Sequence, residues 1–113
     1  MLILPWPPRE LSPNWRGHWA AKHRKSKAYR KACWGLAKEA KLKAPDSQEI
    51  PILVQFAPPD NRARDWDNML ASVKAGLDGV ADALGINDSR FRITIQTLGA
   101  TKGGAVVLSI GED

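Results

Sequence analysis

Ile52-Leu53-Val54-Gln55-Phe56, the stripe Leu70, Val73, Leu77, Val80 and Leu84, and the run Phe91-Arg92-Ile93-Thr94-Ile95-Gln96-Thr97-Leu98 together decide the fold. The first run favours a strand by its β-branched and aromatic content, and Pro58-Pro59 stops it. A charged loop follows over residues 60–66. Asp65 or Asp67, a preferred N-cap type, then opens a helix whose apolar residues recur at helical spacing to Leu84. Gly85 is its stop signal. Residues 91–98 alternate with period two, as a half-buried strand does.

Working outward, Thr101-Lys102-Gly103-Gly104 reads as a turn and Ala105 to Ile110 as a last strand. Toward the N-terminus, residues 2–6 read as a short edge strand stopped by Pro7-Pro8, and Pro13-Asn14 marks a turn. From His18 to Lys43 the chain is rich in Ala and Lys, has no Pro and is interrupted only by Gly35. Tyr29, Cys33, Leu36 and Ala40 recur there at helical spacing, so a helix with a basic exposed face is expected, ended by the loop at Ala44-Pro45-Asp46-Ser47. The order β-α-β-α-β-β predicts an α+β fold, a small mixed β-sheet packed with two helices, in one domain over residues 1–113.

The net charge is +5, which favours an anionic partner. Residues 1–43 carry 11 Lys/Arg and 2 Asp/Glu, a balance of +9, whereas residues 44–113 carry 6 and 10, a balance of −4. One part of the chain builds a basic surface and the other an acidic cluster. The single cysteine, Cys33, excludes an internal disulfide and suits a reducing, cytoplasmic setting. The N-terminus lacks the basic region of a signal peptide, and no apolar run reaches the ~18 residues of a membrane span. Dinucleotide, P-loop, HExxH and paired CxxC motifs are absent.

The acidic cluster centres on Arg64-Asp65-Trp66-Asp67-Asn68, with Asp88 following the second helix. In an extended or turning backbone, residues two apart point the same way, so Asp65 and Asp67 can face one side, with Trp66 opposite as a wall. Convergent carboxylates suit Mg²⁺, which takes oxygen ligands, water and substrate phosphates. At ~100° per residue, Asp67, Lys74 and Asp78 fall within about 20° of one direction. The ordinary alternatives are a solvated helix face with an N-cap, and an Asx-type turn at Asp88.

Arg16, Lys22, Arg24, Lys25, Lys27, Arg30 and Lys31 interleave with Trp15, Trp19 and Tyr29, a pattern that serves phosphates and unstacked bases. It equally describes a Lys-rich helix whose aromatics pack inward. Trp6 and Trp34 are expected in the core or a dimer contact. Arg62 and Arg64 flank the acidic site and, with Lys102 in the Gly-rich turn, are candidate phosphate contacts. His18 and His23 lack a third ligand for zinc.

Leu4-Pro5-Trp6-Pro7-Pro8, the segment from Pro58 to Asn68, Asp88 and Thr101-Lys102-Gly103-Gly104 resemble, in order, the RusA family of Holliday junction resolvases. The resemblance implies a small phage or prophage Mg²⁺-dependent endodeoxyribonuclease, with Mn²⁺ as a substitute ion, that acts as a homodimer on four-way and other branched DNA. It implies Asp65, Asp67 and Asp88 as the metal-binding carboxylates and needs no small-molecule cofactor. Two departures stand out. Asn87-Asp88 replaces a pair of aspartates, and Ala71 lies near the family's lysine position, so Lys74, about one turn on, is the candidate catalytic lysine. The expected function is therefore cleavage of branched DNA in the cytoplasm of a bacterium or a phage-infected host. The rivals are a non-catalytic DNA-binding dimer using the basic N-terminal surface and a single-strand-binding protein using its tryptophans.

Overall fold

The computed structural model describes residues 1–111 of the chain. The expected α+β architecture is present: a four-stranded mixed sheet with two helices packed against it. Strand β1 (Leu2–Pro5) is followed by α1 (Trp19–Glu39), β2 (Ile50–Ala57), α2 (Trp66–Leu84), β3 (Phe91–Thr97) and β4 (Ala105–Ile110). Two short 3-10 turns, Arg9–Leu11 and Asp88–Arg90, were not legible as elements in the sequence.

The strands lie in the order β1-β4-β2-β3. β4 pairs antiparallel with both β1 and β2, in registers such as Leu4 opposite Val106 and Val54 opposite Leu108. β2 and β3 pair in parallel, Ile50 with Phe91 through Phe56 with Thr97. Antiparallel partners need only a turn, but a parallel pair needs a crossover, and α2 is that crossover. One sheet face, carrying Leu2, Leu4, Ile50, Ile52, Val54, Phe56, Val106 and Leu108, is buried with Val73, Leu77 and Val80 of α2 and Tyr29, Cys33 and Ala37 of α1.

Several boundaries move. β2 gains Ile50 and Pro51, which pair with Phe91 and Arg92 of β3, and Ala57, which pairs with Ala105 of β4, because a neighbouring strand extends it beyond its apolar centre. α1 stops at Glu39 rather than Lys43. Lys41 takes a left-handed φ of 55°, and its neighbour Leu42 donates from its N–H to the Ala37 carbonyl at 3.1 Å, closing the helix ahead of the Pro-containing loop. α2 closes the same way where expected: Gly85 has φ 70°, and the Ile86 N–H reaches the Ala81 carbonyl at 3.1 Å. β3 is an edge strand in which only Phe91 is fully buried. No helix among the described residues is long and apolar enough to cross a membrane.

The two helices touch backbone to backbone. A Cβ built on Gly79 would sit 2.1 Å from the Arg30 carbonyl oxygen, and one on Gly76 would sit 2.7 Å from the Tyr29 ring. The Tyr29 hydroxyl donates to the Pro5 carbonyl at 2.7 Å, tying α1 to the end of β1. Cys33 is fully buried, and loss of hydration pushes its thiol up to about 11, so it is an inert core group.

Candidate nucleic-acid and metal site

Asp65 is the N-cap of α2, and Trp66 is already its first helical residue. The extended-chain geometry expected for Asp65 and Asp67 therefore does not hold, because residues two apart on a helix do not face each other. Asp65 lines a cavity of about 490 Å³ with Trp6, Arg9, Arg62, Arg64 and Asn68. Asp67 is exposed, and its Oδ1 accepts from the Asn68 N–H at 3.0 Å. Trp66 is 61% exposed and does not line that cavity, so it is not the wall expected of it.

Asp88 is held elsewhere. Parallel pairing of β2 with β3 sends α2 from one end of the sheet back to the other, so the segment entering α2 and the segment leaving it lie at opposite ends. Asp88 opens the 3-10 turn after α2, where the Asn87 side chain, not Asp88, makes the Asx-type contact by accepting from the Ser89 N–H at 2.9 Å. Lys74 Nζ donates to Asp88 Oδ2 and to Asp78 Oδ1, each at 2.5 Å. The structure thus brings Lys74 to Asp88, and adds Asp78, on the helix edge that the spacing of Asp67, Lys74 and Asp78 describes. Asp65 and Asp67 remain at the head of α2. Lys74 is seven residues beyond Asp67, about 10 Å along the axis.

These contacts set the local charge. The bond from Lys74 holds the Asp88 carboxyl below the usual carboxylate range. Partial burial pulls the Lys74 ammonium down, but bonds to Asp78 and Asp88 outweigh it and leave the group above its ordinary value. Arg30 donates to Asp82 from Nε and Nη2, at 2.7 and 3.0 Å, and its Nη1 lies 4.0 Å from Asp78. That pair lowers Asp82 and ties α1 to α2. Arg30, expected on DNA, thus already has a carboxylate partner. Asp78 and Asp82 were not singled out as site residues in the sequence, although Asp78 was visible on the Lys74 edge and Asp82 is one turn further.

The carboxylate oxygens of Asp65, Asp67 and Asp88 are the right donors for a hard divalent ion. Among the described residues, however, no three His, Cys, Asp or Glu side chains come together in a group able to hold a metal. The set fits Mg²⁺ in kind but not in position, with Asp88 occupied by Lys74.

Two of the quoted motif segments line the 490 Å³ cavity, and a third packs against its wall. Trp6 comes from the first. Pro59, Arg62, Arg64, Asp65 and Asn68 come from the second. From the third, Gly104 presses on Trp6 and Pro59, where a Cβ would sit 3.0–3.1 Å from their atoms, and its φ of 71° also suits glycine. Trp6 meets Phe56 edge-on at 6.1 Å and carries the Arg64 guanidinium over its ring at 5.7 Å. Arg64 Nη1 donates to the Asp60 carbonyl at 3.1 Å and the Arg62 carbonyl at 3.2 Å, and lies 3.0 Å from Asp60 Oδ1, which keeps the Asp60 carboxyl below the usual range. Arg9, Asn14 and Ser72 also line the cavity and were not singled out; the only sequence signal was the adjacency of Arg9 and Asn14 to Pro7-Pro8 and Pro13.

Ser72 also lines a second cavity of about 250 Å³, shared with Lys22 of α1 and with Lys74 and Asp78 of α2. Of the basic residues expected on DNA, Lys22, Arg62 and Arg64 therefore reach a cavity wall, while Arg16, Arg24, Lys25, Lys27 and Lys31 are exposed on or before α1 and Lys102 is exposed in the turn. The aromatics divide: Tyr29 is buried, Trp15 and Trp6 are half-buried, and Trp34 is 41% exposed. Trp19 is 74% exposed and stacks on His18.

No protein-family model matches the chain. It is 42% identical over 93 residues to an uncharacterized protein of Xylella fastidiosa, a match that covers 80% of this chain and 61% of that protein. The chain thus spans about three fifths of the length of this relative, whose description names no activity.

Proposed function

We propose that the chain is a Mg²⁺-dependent, structure-selective endodeoxyribonuclease of the RusA type that cuts Holliday junctions and related branched DNA as a homodimer. The observation that carries this reading is one Arg-rich cavity that contains Asp65, lined by two segments far apart in sequence and backed by a third at Gly104. The adjoining cavity, which shares Ser72 and is lined by Lys22, supports a strand-binding path. Phosphate contacts along it would bring steep salt dependence and little sequence dependence. In this reading Lys74 would offset developing negative charge once its bonds to Asp78 and Asp88 are exchanged for substrate. A second copy is supported by the sheet face opposite the helices, where Ile3 is 57% exposed and Leu53 and Val107 are half-buried. A two-fold dimer would offer two equivalent sites to a four-way junction.

One observation favours the rival, a non-catalytic DNA-binding dimer: Asp88 is neutralised by Lys74 rather than grouped with Asp65 and Asp67. Cleavage of a synthetic four-way junction and of its linear duplex, with Mg²⁺ or EDTA, separates the two. The nuclease reading predicts paired nicks on the junction alone, only with Mg²⁺ or Mn²⁺, and a rate in Asp67→Asn below about 1% of wild type, a loss of some 3 kcal/mol of barrier lowering. Tight junction binding without cleavage under any divalent ion leaves the DNA-binding dimer.

A further inference from the structure

The 490 Å³ cavity is in the size range of sites for small ligands and cannot admit a stacked duplex. Its cations are not equivalent. Arg64 is built into the wall, with a side chain only 16% exposed and its Nη1 committed to Asp60 and Arg62 oxygens. Arg62 is 78% exposed and only 3.9 Å from one carboxylate oxygen, and Arg9 makes no ion pair with the described residues. Arg9 and Arg62 therefore keep donors for a further anion, and guanidinium geometry matches phosphate. Trp6, layered with Arg64 and braced by Phe56, makes a rigid π surface. Asn14 and Asn68 bring amides, which both donate and accept at the edge of a base.

We propose that this cavity seats one unpaired nucleotide of a DNA strand, its phosphate on Arg9 and Arg62 and its base against Trp6 and the Asn68 amide. The inference rests on the nucleic-acid reading above and names the part of the substrate that the site takes. A strand, rather than a free nucleotide, follows from the adjoining 250 Å³ cavity, which shares Ser72 with the first and puts Lys22 of α1 within reach of a neighbouring phosphate. Unpaired nucleotides occur at branch points, so the cavity would select structure without reading a duplex sequence. Base stacking on an aromatic surface contributes about 1–3 kcal/mol and tolerates any base.

The test is equilibrium binding in EDTA, where no metal-dependent cleavage occurs, using forked DNA with 2-aminopurine at the unpaired branch position and the matching linear duplex. Wild type is expected to change the 2-aminopurine fluorescence and to bind the fork more tightly. Arg9→Ala and Asn68→Ala are each expected to weaken fork binding about tenfold while leaving duplex binding within about twofold. Arg9 is exposed, so its variant folds even if the helix-head variant does not. Equal fork binding by both variants, or no fluorescence change, overturns the proposal. Binding of a free deoxynucleoside monophosphate as tight as that of a trinucleotide overturns it in favour of a free-nucleotide site. If the variants lose fork binding while no metal yields cleavage, the nuclease reading falls and the cavity assignment stands. If junction cleavage survives unchanged in both variants, the cavity assignment falls and the nuclease reading stands.

Discussion

Helices α1 and α2 are almost equal in length, 21 and 19 residues, yet they are built on opposite plans. α1 buries one narrow row, Tyr29, Cys33 and Ala37, and carries Lys and Arg around the rest of its surface. α2 buries Met69, Val73, Gly76, Leu77, Gly79, Val80 and Ala81 and keeps its polar groups to one edge. The difference teaches where each helix gets its stability. α2 is held by broad apolar contact with the sheet and by glycines that let α1 approach, whereas α1 depends on being docked. The helix with little core of its own thus carries the exposed basic surface, and the well-anchored helix carries Asp67, Lys74, Asp78 and Asp82.

The contrast is easiest to break at the helix contact. Gly79→Ala, which raises helix propensity by up to ~1 kcal/mol in an open helix, is expected to destabilise by about 3 kcal/mol, because its methyl would meet the Arg30 carbonyl, which is backbone and cannot swing aside. Gly35 of α1 has nothing within 4 Å of a built Cβ, so Gly35→Ala is expected to stabilise by about 0.5–1 kcal/mol. Urea unfolding of the two variants gives opposite signs if the helices differ as described. A stabilised Gly79→Ala would show that the helices do not touch there. Tyr29→Phe is the next test. It removes the bond to the Pro5 carbonyl and leaves that acceptor with less satisfaction, for a loss of about 1 kcal/mol by the same measurement.

The smallest effect lies on the polar edge of α2. Asp88 titrates below its ordinary value, so its tie to Lys74 contributes stability above about pH 4 and loses it as pH falls through the depressed folded-state value. Lys74 titrates above its ordinary value, so its share is present below about pH 10 and is lost as pH rises through the raised one. The pair is largely exposed to water, and about 0.2–1 kcal/mol is the expected size. Lys74→Met should flatten the acid limb of the stability profile, measured as thermal midpoint between pH 2 and 7. An unchanged limb would show that Lys74 and Asp88 do not pair in solution.

Much of this was legible in the chain itself. Local pattern found both helices and all four strands, because amphipathic periods and Gly or Pro stops are properties of neighbouring residues. Asp67, Lys74 and Asp78 could be put on one edge of α2 from spacing alone, for the same reason. The errors sit where the backbone changes state within a few residues. Trp66 begins a helix rather than continuing an extended loop, which separates Asp65 from Asp67 and exposes the indole. Lys41 turns left-handed and ends α1 four residues early.

The sequence by itself determined the fold class, the order of elements, the charge division and the polar edge of α2, all of which follow from local composition and periodicity. Tertiary structure alone decided which distant groups meet. Strand order is set by long-range pairing, and a parallel β2–β3 pair requires a crossover that carries Asp88 to the end of the sheet away from Asp65. Pairing with both β1 and β2 places β4 inside the sheet, so that its turn at Gly104 lies against Trp6 and Pro59, which line the arginine-rich cavity. No window of neighbouring residues carries that information, because the contacts that create it join segments from both ends and the middle of the chain.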